Sequence, residues 1–164
     1  MKRYALSLVF CVLAASATFG QGKTPIEGVW KVAELVMPSE NPAEKGQTII
    51  NAQPSLIIFT KQYYSGMGTG GQARVAVAPP KDPRNLTDTE KIARYEQWRS
   101  FSANAGTYEI KGSTLLMRAI VAKNVEAMTR TTPQVWELKM EGPNILWLIP
   151  QSPTEPRVKF TRLE

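Results

Sequence analysis

Residues 106–122 read GTYEIKGSTLLMRAIVA and residues 134–149 read QVWELKMEGPNILWLI. In each, two runs rich in β-branched, aromatic and other apolar residues flank a turn, Gly112-Ser113 in the first and Glu141-Gly142-Pro143-Asn144 in the second. Strands joined by turn residues at such short intervals pair as antiparallel neighbours, so the chain beyond residue 105 reads as a meander. Its strands are 106–111, 114–122, 134–140 and 145–149, and 158–163 follows after Ser152-Pro153-Thr154-Glu155-Pro156. Residues 125–131 fill the one longer gap as a loop or short helical turn.

Working outward from the meander, residues 28–37 (GVWKVAELVM) form a first strand closed by Pro38-Ser39-Glu40-Asn41-Pro42. Residues 55–60 (SLIIFT) and 63–68 form two more, joined tightly at Lys61-Gln62. The glycines at 66, 68, 70 and 71 make no phosphate loop, because Gly70-Gly71-Gln72-Ala73 neither ends in Gly-Lys-Ser/Thr nor opens a helix; they read as a bent or bulged strand end. Between the two groups of strands, Pro79-Pro80-Lys81-Asp82-Pro83 is a stiff turn, and Thr87-Asp88-Thr89-Glu90 is a capping box that starts a helix over 88–103. Ile92, Tyr95, Trp98 and Phe101 recur every third residue as one apolar stripe. That stripe either lines a ligand pocket or packs the helix on a sheet or over a barrel mouth.

Eight antiparallel strands leave two exposed edges unless they close. The expected fold is therefore mainly β, an eight-stranded antiparallel up-and-down barrel with one principal helix inserted mid-chain. A barrel of that size is either filled by its own side chains or holds one small ligand.

Composition narrows the chemistry. At 164 residues one domain is expected, and the absence of histidine removes Ser-His-Asp and Cys-His triads, HExxH metal sites and imidazole proton shuttles. Residues 1–20 read as a secretory signal: Lys2 and Arg3, an apolar stretch over 5–17, then small residues that favour cleavage after Gly20. The expected domain is thus 21–164, exported across the inner membrane to the periplasm or beyond, with no stable membrane insertion once the signal is gone. Cleavage also removes Cys11, the single cysteine, so the mature chain has neither disulfide nor thiolate, and neither a metal nor a cofactor is expected. The chain is basic, at a formal charge of +6, but its Lys and Arg are scattered among acids, so no nucleic-acid partner is expected.

Gly28-Val29-Trp30 near the start of the first strand, with Arg162 near the end of the last, resembles the Gly-x-Trp and C-terminal Arg of the lipocalin and calycin barrels. A closer resemblance is to the bacterial lipocalin-like domain family. It rests on Gly28-Val29-Trp30-Lys31-Val32, the 87–103 helix, Ala105-Gly106-Thr107-Tyr108-Glu109 and Phe160-Thr161-Arg162-Leu163, and it spans 26–164. The resemblance implies that Gly28, Trp30 and Arg162 close one end of the barrel, the guanidinium lying over the indole. Many relatives carry histidines on the strand after Gly-x-Tyr, where this chain reads Leu115-Leu116-Met117-Arg118-Ala119, so no histidine-dependent activity carries over.

The candidate ligand-binding residues are Glu34, Tyr64, Tyr108, Arg118 and Trp136; none is assigned a catalytic role. Strict alternation from an inward Trp30 turns Glu34 inward as well, where a carboxylate needs a partner, and Arg118 is the cation nominated for it. Otherwise Glu34 lies at a wet rim or in solvent. Tyr64, Tyr108 and Trp136 offer flat apolar walls with polar tips, or else plain core. The expected partner is a small hydrophobic or amphiphilic molecule, sequestered or transported. The alternatives are a filled barrel acting in protein interaction, and an isomerase or cyclase built on Glu34 with Arg118 or Tyr108.

Overall fold

A computed structural model of the protein describes residues 24–39, 46–50, 54–69 and 74–164. The expected signal segment, and the turn residues Glu40, Asn41, Pro42 and Gly70 to Ala73, lie outside the described residues. In chain order the elements are β1 (Gly28–Val36), β2 (Thr48–Ile50), β3 (Ser55–Phe59), β4 (Tyr63–Thr69), α1 (Asp88–Arg99), β5 (Phe101–Lys111), β6 (Thr114–Ala122), α2 (Val125–Thr129), β7 (Gln134–Met140), β8 (Ile145–Pro150) and β9 (Arg157–Arg162).

Each of β3 to β8 is antiparallel to its successor, and β9 returns to pair with β1, from Trp30 opposite Arg162 to Val36 opposite Arg157. With β1 next to β3, eight strands close into an up-and-down barrel. The ninth, β2, was not foreseen. It is three residues long and pairs only with Glu34–Val36 of β1, beyond the point where β3 stops pairing at Lys31 opposite Leu56.

The two ends of the barrel differ because their connections do. One end carries the short turns at Thr60 to Gln62, Gly112-Ser113 and Glu141 to Asn144; the other carries both helices and every long connection. Period-2 alternation sends Trp30, Phe59, Leu115, Leu146 and Phe160 to the interior near the short-turn end, where Ile26 enters from below. Trp30 and Ile26 are fully buried, and the Trp30 indole N–H donates to the Ile26 carbonyl at 2.7 Å. Burying each such side chain stabilises the fold by about 1.5 to 3 kcal/mol, and this end is the core.

The helix begins as its capping box dictates, with the Glu90 backbone N–H donating to the Thr87 hydroxyl and the Thr87 backbone N–H to the Glu90 carboxylate. The Thr87 hydroxyl, donating to the Glu90 carboxylate at 2.7 Å, and the Thr87 backbone N–H together hold that carboxyl below the usual carboxylate range. It ends at Arg99, not at residue 103, because residues 101–103 join the ladder with β4, Phe101 opposite Thr69. Phe101 continues the three-residue spacing but meets Trp98 edge to face, at 5.3 Å, from the strand. Nor does α1 pack on the sheet or cap the mouth: it buries no residue, and Ile92 and Tyr95 are 63% and 65% exposed. Its C-terminal end is anchored where Lys123 Nζ donates to the carbonyls of Trp98, Arg99 and Phe101 and Arg74 stacks on the Trp98 ring at 4.2 Å.

Candidate functional site

Arg162 seals the short-turn end. Its guanidinium carbon lies 4.1 Å above the Trp30 ring, and its nitrogens donate to the carbonyls of Pro143 at 2.7 Å, Pro25 at 2.6 Å and Glu27. One side chain thereby ties the lead-in, the β7–β8 turn and the last strand over the indole. Gly28 makes the close approach possible: its φ is +134°, and a Cβ there would lie 2.1 Å from the Glu164 carbonyl oxygen. Tyr108 belongs to the same seal. Its hydroxyl donates to the Thr60 carbonyl at 2.6 Å and meets the Thr24 hydroxyl at 3.1 Å, while its ring stands edge-on to Phe59 at 5.2 Å. Burial pushes its pKa up, and its position is in the plug rather than in the wall of a cavity.

Glu34 and Arg118 do not meet. In the pairing of β1 with β9, Val32 sits opposite Phe160 and Glu34 opposite Lys159, which leaves Ala33 as an extra residue. This bulge reverses the alternation, so Leu35, paired with Val158, takes the inward position and Glu34 turns to the outer wall. There its carboxylate accepts from Lys159 Nζ at 2.8 Å, and the same ammonium lies 5.4 Å from the centre of the Trp147 ring. Arg118 stands on β6, four strands round the barrel in either direction, and donates to the Thr131 carbonyl at 3.0 Å. The expected inward Glu34–Arg118 pair is therefore replaced by Glu34–Lys159, and no described charged side chain is buried.

The interior opens toward the other end. Inward positions there are small: Ser55, Gly66 and Gly68 on β3 and β4, and Ser102, Asn104 and Ala119 on β5 and β6. β6 pairs with β7 only as far as Met117 opposite Gln134, then runs on to Ala122, so the wall splays there and α2 packs along β6. A second bulge, at Ile120, accompanies this divergence. Beside it Gly106 lets β5 approach β6 so closely that a Cβ would fall 1.9 Å from the Arg118 carbonyl oxygen.

Under α2 lies a cavity of about 160 Å³, lined by Tyr64, Asn104, Met117, Arg118, Ala119, Ala127, Arg130, Thr132 and Gln134. Its polar groups are largely unpaired. The Tyr64 hydroxyl and the side chains of Asn104, Arg130, Thr132 and Gln134 have no hydrogen-bond or ion-pair partner among the described residues. Tyr64 is only 5% exposed, and burial raises its pKa above the ordinary phenol value. Trp136 sits two residues from Gln134 on the same face of β7, half-buried against the core cluster, with an indole N–H that is enclosed and unbonded. A wider groove of about 590 Å³ runs along Lys31, Leu56, Met67, Arg74 and Phe101. Because Leu56 and Met67 alternate with the inward Ile57 and Gly66, this groove lies mainly on the outer wall and is not the lumen.

Of the five candidate residues, Tyr64 and Arg118 line this cavity, Tyr108 lies in the seal, Trp136 packs beside the core, and Glu34 is outside. Asn104, Arg130, Thr132 and Gln134 were not singled out from sequence. Extending the strand of Gly-Thr-Tyr backward would have found Asn104, since Tyr108, Gly106 and Asn104 fall on one face. Among the described residues no helix is long and apolar enough to cross a membrane, and no three His, Cys, Asp or Glu residues cluster as a metal site.

No protein-family model matches the chain, and no curated protein matches it significantly. Among solved structures, it is similar to a lipocalin-like protein from Bacteroides uniformis, with 11% identity, 85% of this chain and 99% of that one covered, and a TM-score of 0.49. It is also similar to an uncharacterized protein from Bacteroides eggerthii, with 10% identity, 83% and 98% covered, and a TM-score of 0.44. The strand order and closure of this chain itself are those of a lipocalin-like barrel.

Proposed function

We propose that the protein binds a small amphiphilic molecule at the open end of its barrel and holds it without a chemical step. What carries this reading is the asymmetry of the lumen: a seal of packed side chains at one end, and at the other a cavity walled by polar groups without partners. Tyr64 is the buried member of this set, and a buried hydroxyl is normally hydrogen-bonded, while Arg130, Thr132 and Gln134 stand exposed at the mouth with polar groups that a ligand can engage. At about 160 Å³ the cavity is smaller than the roughly 300 to 1,000 Å³ that encloses a drug-sized molecule, so it suits a head group rather than a whole ligand. Export by the 1–20 segment is part of the same proposal, and a chain recovered from the host envelope with Gln21 first would support it.

The direct test is native mass spectrometry of the chain purified from its own host, followed by denaturing extraction. A stoichiometric small molecule is the expected result. An empty chain that also fails to alter the emission of lipophilic fluorescent probes would overturn the proposal. It would favour a second reading, a protein-interaction module, for which the exposed Leu56, Ile58 and Met67 on the outer wall and the bare stripe of α1 speak.

A further inference from the structure

We infer that the group held in the cavity under α2 is an anion, a carboxylate or phosphate head, and that Arg130 and Arg118 select it. This inference rests on the amphiphile reading above and names the charge of its polar end.

The lining contains two arginines, both exposed at its rim, and no acid; Glu126, the one acid on α2, is not part of it. Arg130 is the C-cap residue of α2 and has no hydrogen-bond or ion-pair partner among the described residues. Arg118 alternates with the inward Met117 and Ala119, so its exposed side chain leaves the outer face of β6 and reaches the mouth through Nη1, which donates to the Thr131 carbonyl at 3.0 Å, its other N–H donors having no protein partner among the described residues. A guanidinium is donor-only and matches the paired oxygens of a carboxylate or phosphate. The remaining polar groups, the Tyr64 and Thr132 hydroxyls and the Asn104 and Gln134 amides, can all donate to the same oxygens.

The placement of the arginines also has a local cause. The bulge at Ile120 and the short pairing of β6 with β7 open the wall beside Arg118, and α2 sets Arg130 across that opening. A cationic ligand would meet two like charges with no carboxylate to hold it, and a purely neutral one would leave the guanidinium donors unused. The geometry thus favours a head of negative charge on the neutral walls of Met117, Ala119 and Ala127.

The experiment is titration calorimetry of the protein with octanoate, octyl phosphate, 1-octanol and octylamine, which share one tail and differ in head group. Both anions, or one of them, should bind at least about ten-fold more tightly than octanol or octylamine, the scale of one charge-assisted hydrogen bond. Whichever anion binds more tightly distinguishes a carboxylate from a phosphate source. Raising the salt from about 0.01 to about 1 M, which cuts the screening length from roughly 30 to 3 Å, should weaken the anions and leave octanol unchanged. Arg130→Gln should lose about ten-fold for the anions only, with Arg118→Gln as an independent second variant and far-UV dichroism to check folding. Octanol or octylamine binding as tightly as the anions would overturn the anion assignment and leave the amphiphile reading standing. Failure of all four probes to bind would overturn both.

Discussion

The two ends of this barrel use the same strands for opposite purposes. At the sealed end the interior positions hold Trp30, Phe59, Ile26, Leu115 and Leu146, the largest fully buried side chains, and Arg162 satisfies several carbonyls over the indole. At the open end the corresponding positions hold Gly, Ser, Ala and Asn, and polar groups stand unpaired around a cavity. The large buried side chains lie where the connections are short, and the unpaired polar groups lie where they are long. Removing side chains from each end is therefore the way to test the division.

Trp30→Ala should destabilise the protein by about 3 to 5 kcal/mol, read as a lower urea midpoint, whereas Gln134→Ala at the mouth should change it by no more than about 0.5 kcal/mol. Equal losses would break the comparison. A finer version uses glycines: Gly28→Ala and Gly106→Ala each force a Cβ into a carbonyl oxygen and should cost about 2 kcal/mol or more. Gly66→Ala, whose Cβ would sit an ordinary 3.6 Å from Ile57, should be tolerated. Because Gly106 lies toward the mouth, a loss of stability on its replacement would show that the open end is held to close tolerance at its bulge.

Glu34→Gln should cost less than about 1 kcal/mol, since its partner is a partly exposed lysine on the outer wall. A loss of several kcal/mol would instead indicate a carboxylate paired in the interior. The last prediction concerns pH. Burial raises the Tyr64 pKa in the folded state, so the unfolded chain releases that proton first. Its contribution is fully present below about pH 10, the unfolded value, and is lost as pH rises through the folded value. Thermal unfolding between about pH 9 and pH 11 should fall less steeply in Tyr64→Phe than in the parent chain.

Much of the fold could be read from residue order because hairpins are local. The strands 114–122 and 134–140 coincide with β6 and β7, since each begins or ends at a turn whose residues admit little else, and Gly112 and Gly142 do adopt positive φ. The start of α1 is equally local, as a capping box needs only four residues. Its end was misread because Phe101 keeps the three-residue rhythm; whether it is the last helical residue or the first of a strand is decided by Thr69 on β4, distant in sequence. The site suffered most from this kind of distant control. A single extra residue in β1 relative to β9 exchanged Glu34 for Leu35 at the interior, and nothing in GVWKVAELV marks Ala33 as that residue. Arg130 and Gln134 became neighbours of Tyr64 only through the divergence of β6 from β7, a property of the closed sheet.

The bond from Arg162 to the Glu27 carbonyl spans 135 positions, and it has a consequence for the order of assembly. The hairpins β3–β4, β5–β6 and β7–β8 can form early, because each closes a short loop. The seal cannot: Trp30 has no lid until the final strand has docked against the first. Until then the nascent sheet is an open ribbon with unpaired edges at β1 and β8, prone to pairing with another chain. Barrel closure should accordingly be the slow, topology-limited phase of refolding, and a chain shortened by its last few residues should aggregate rather than rest as a loose monomer.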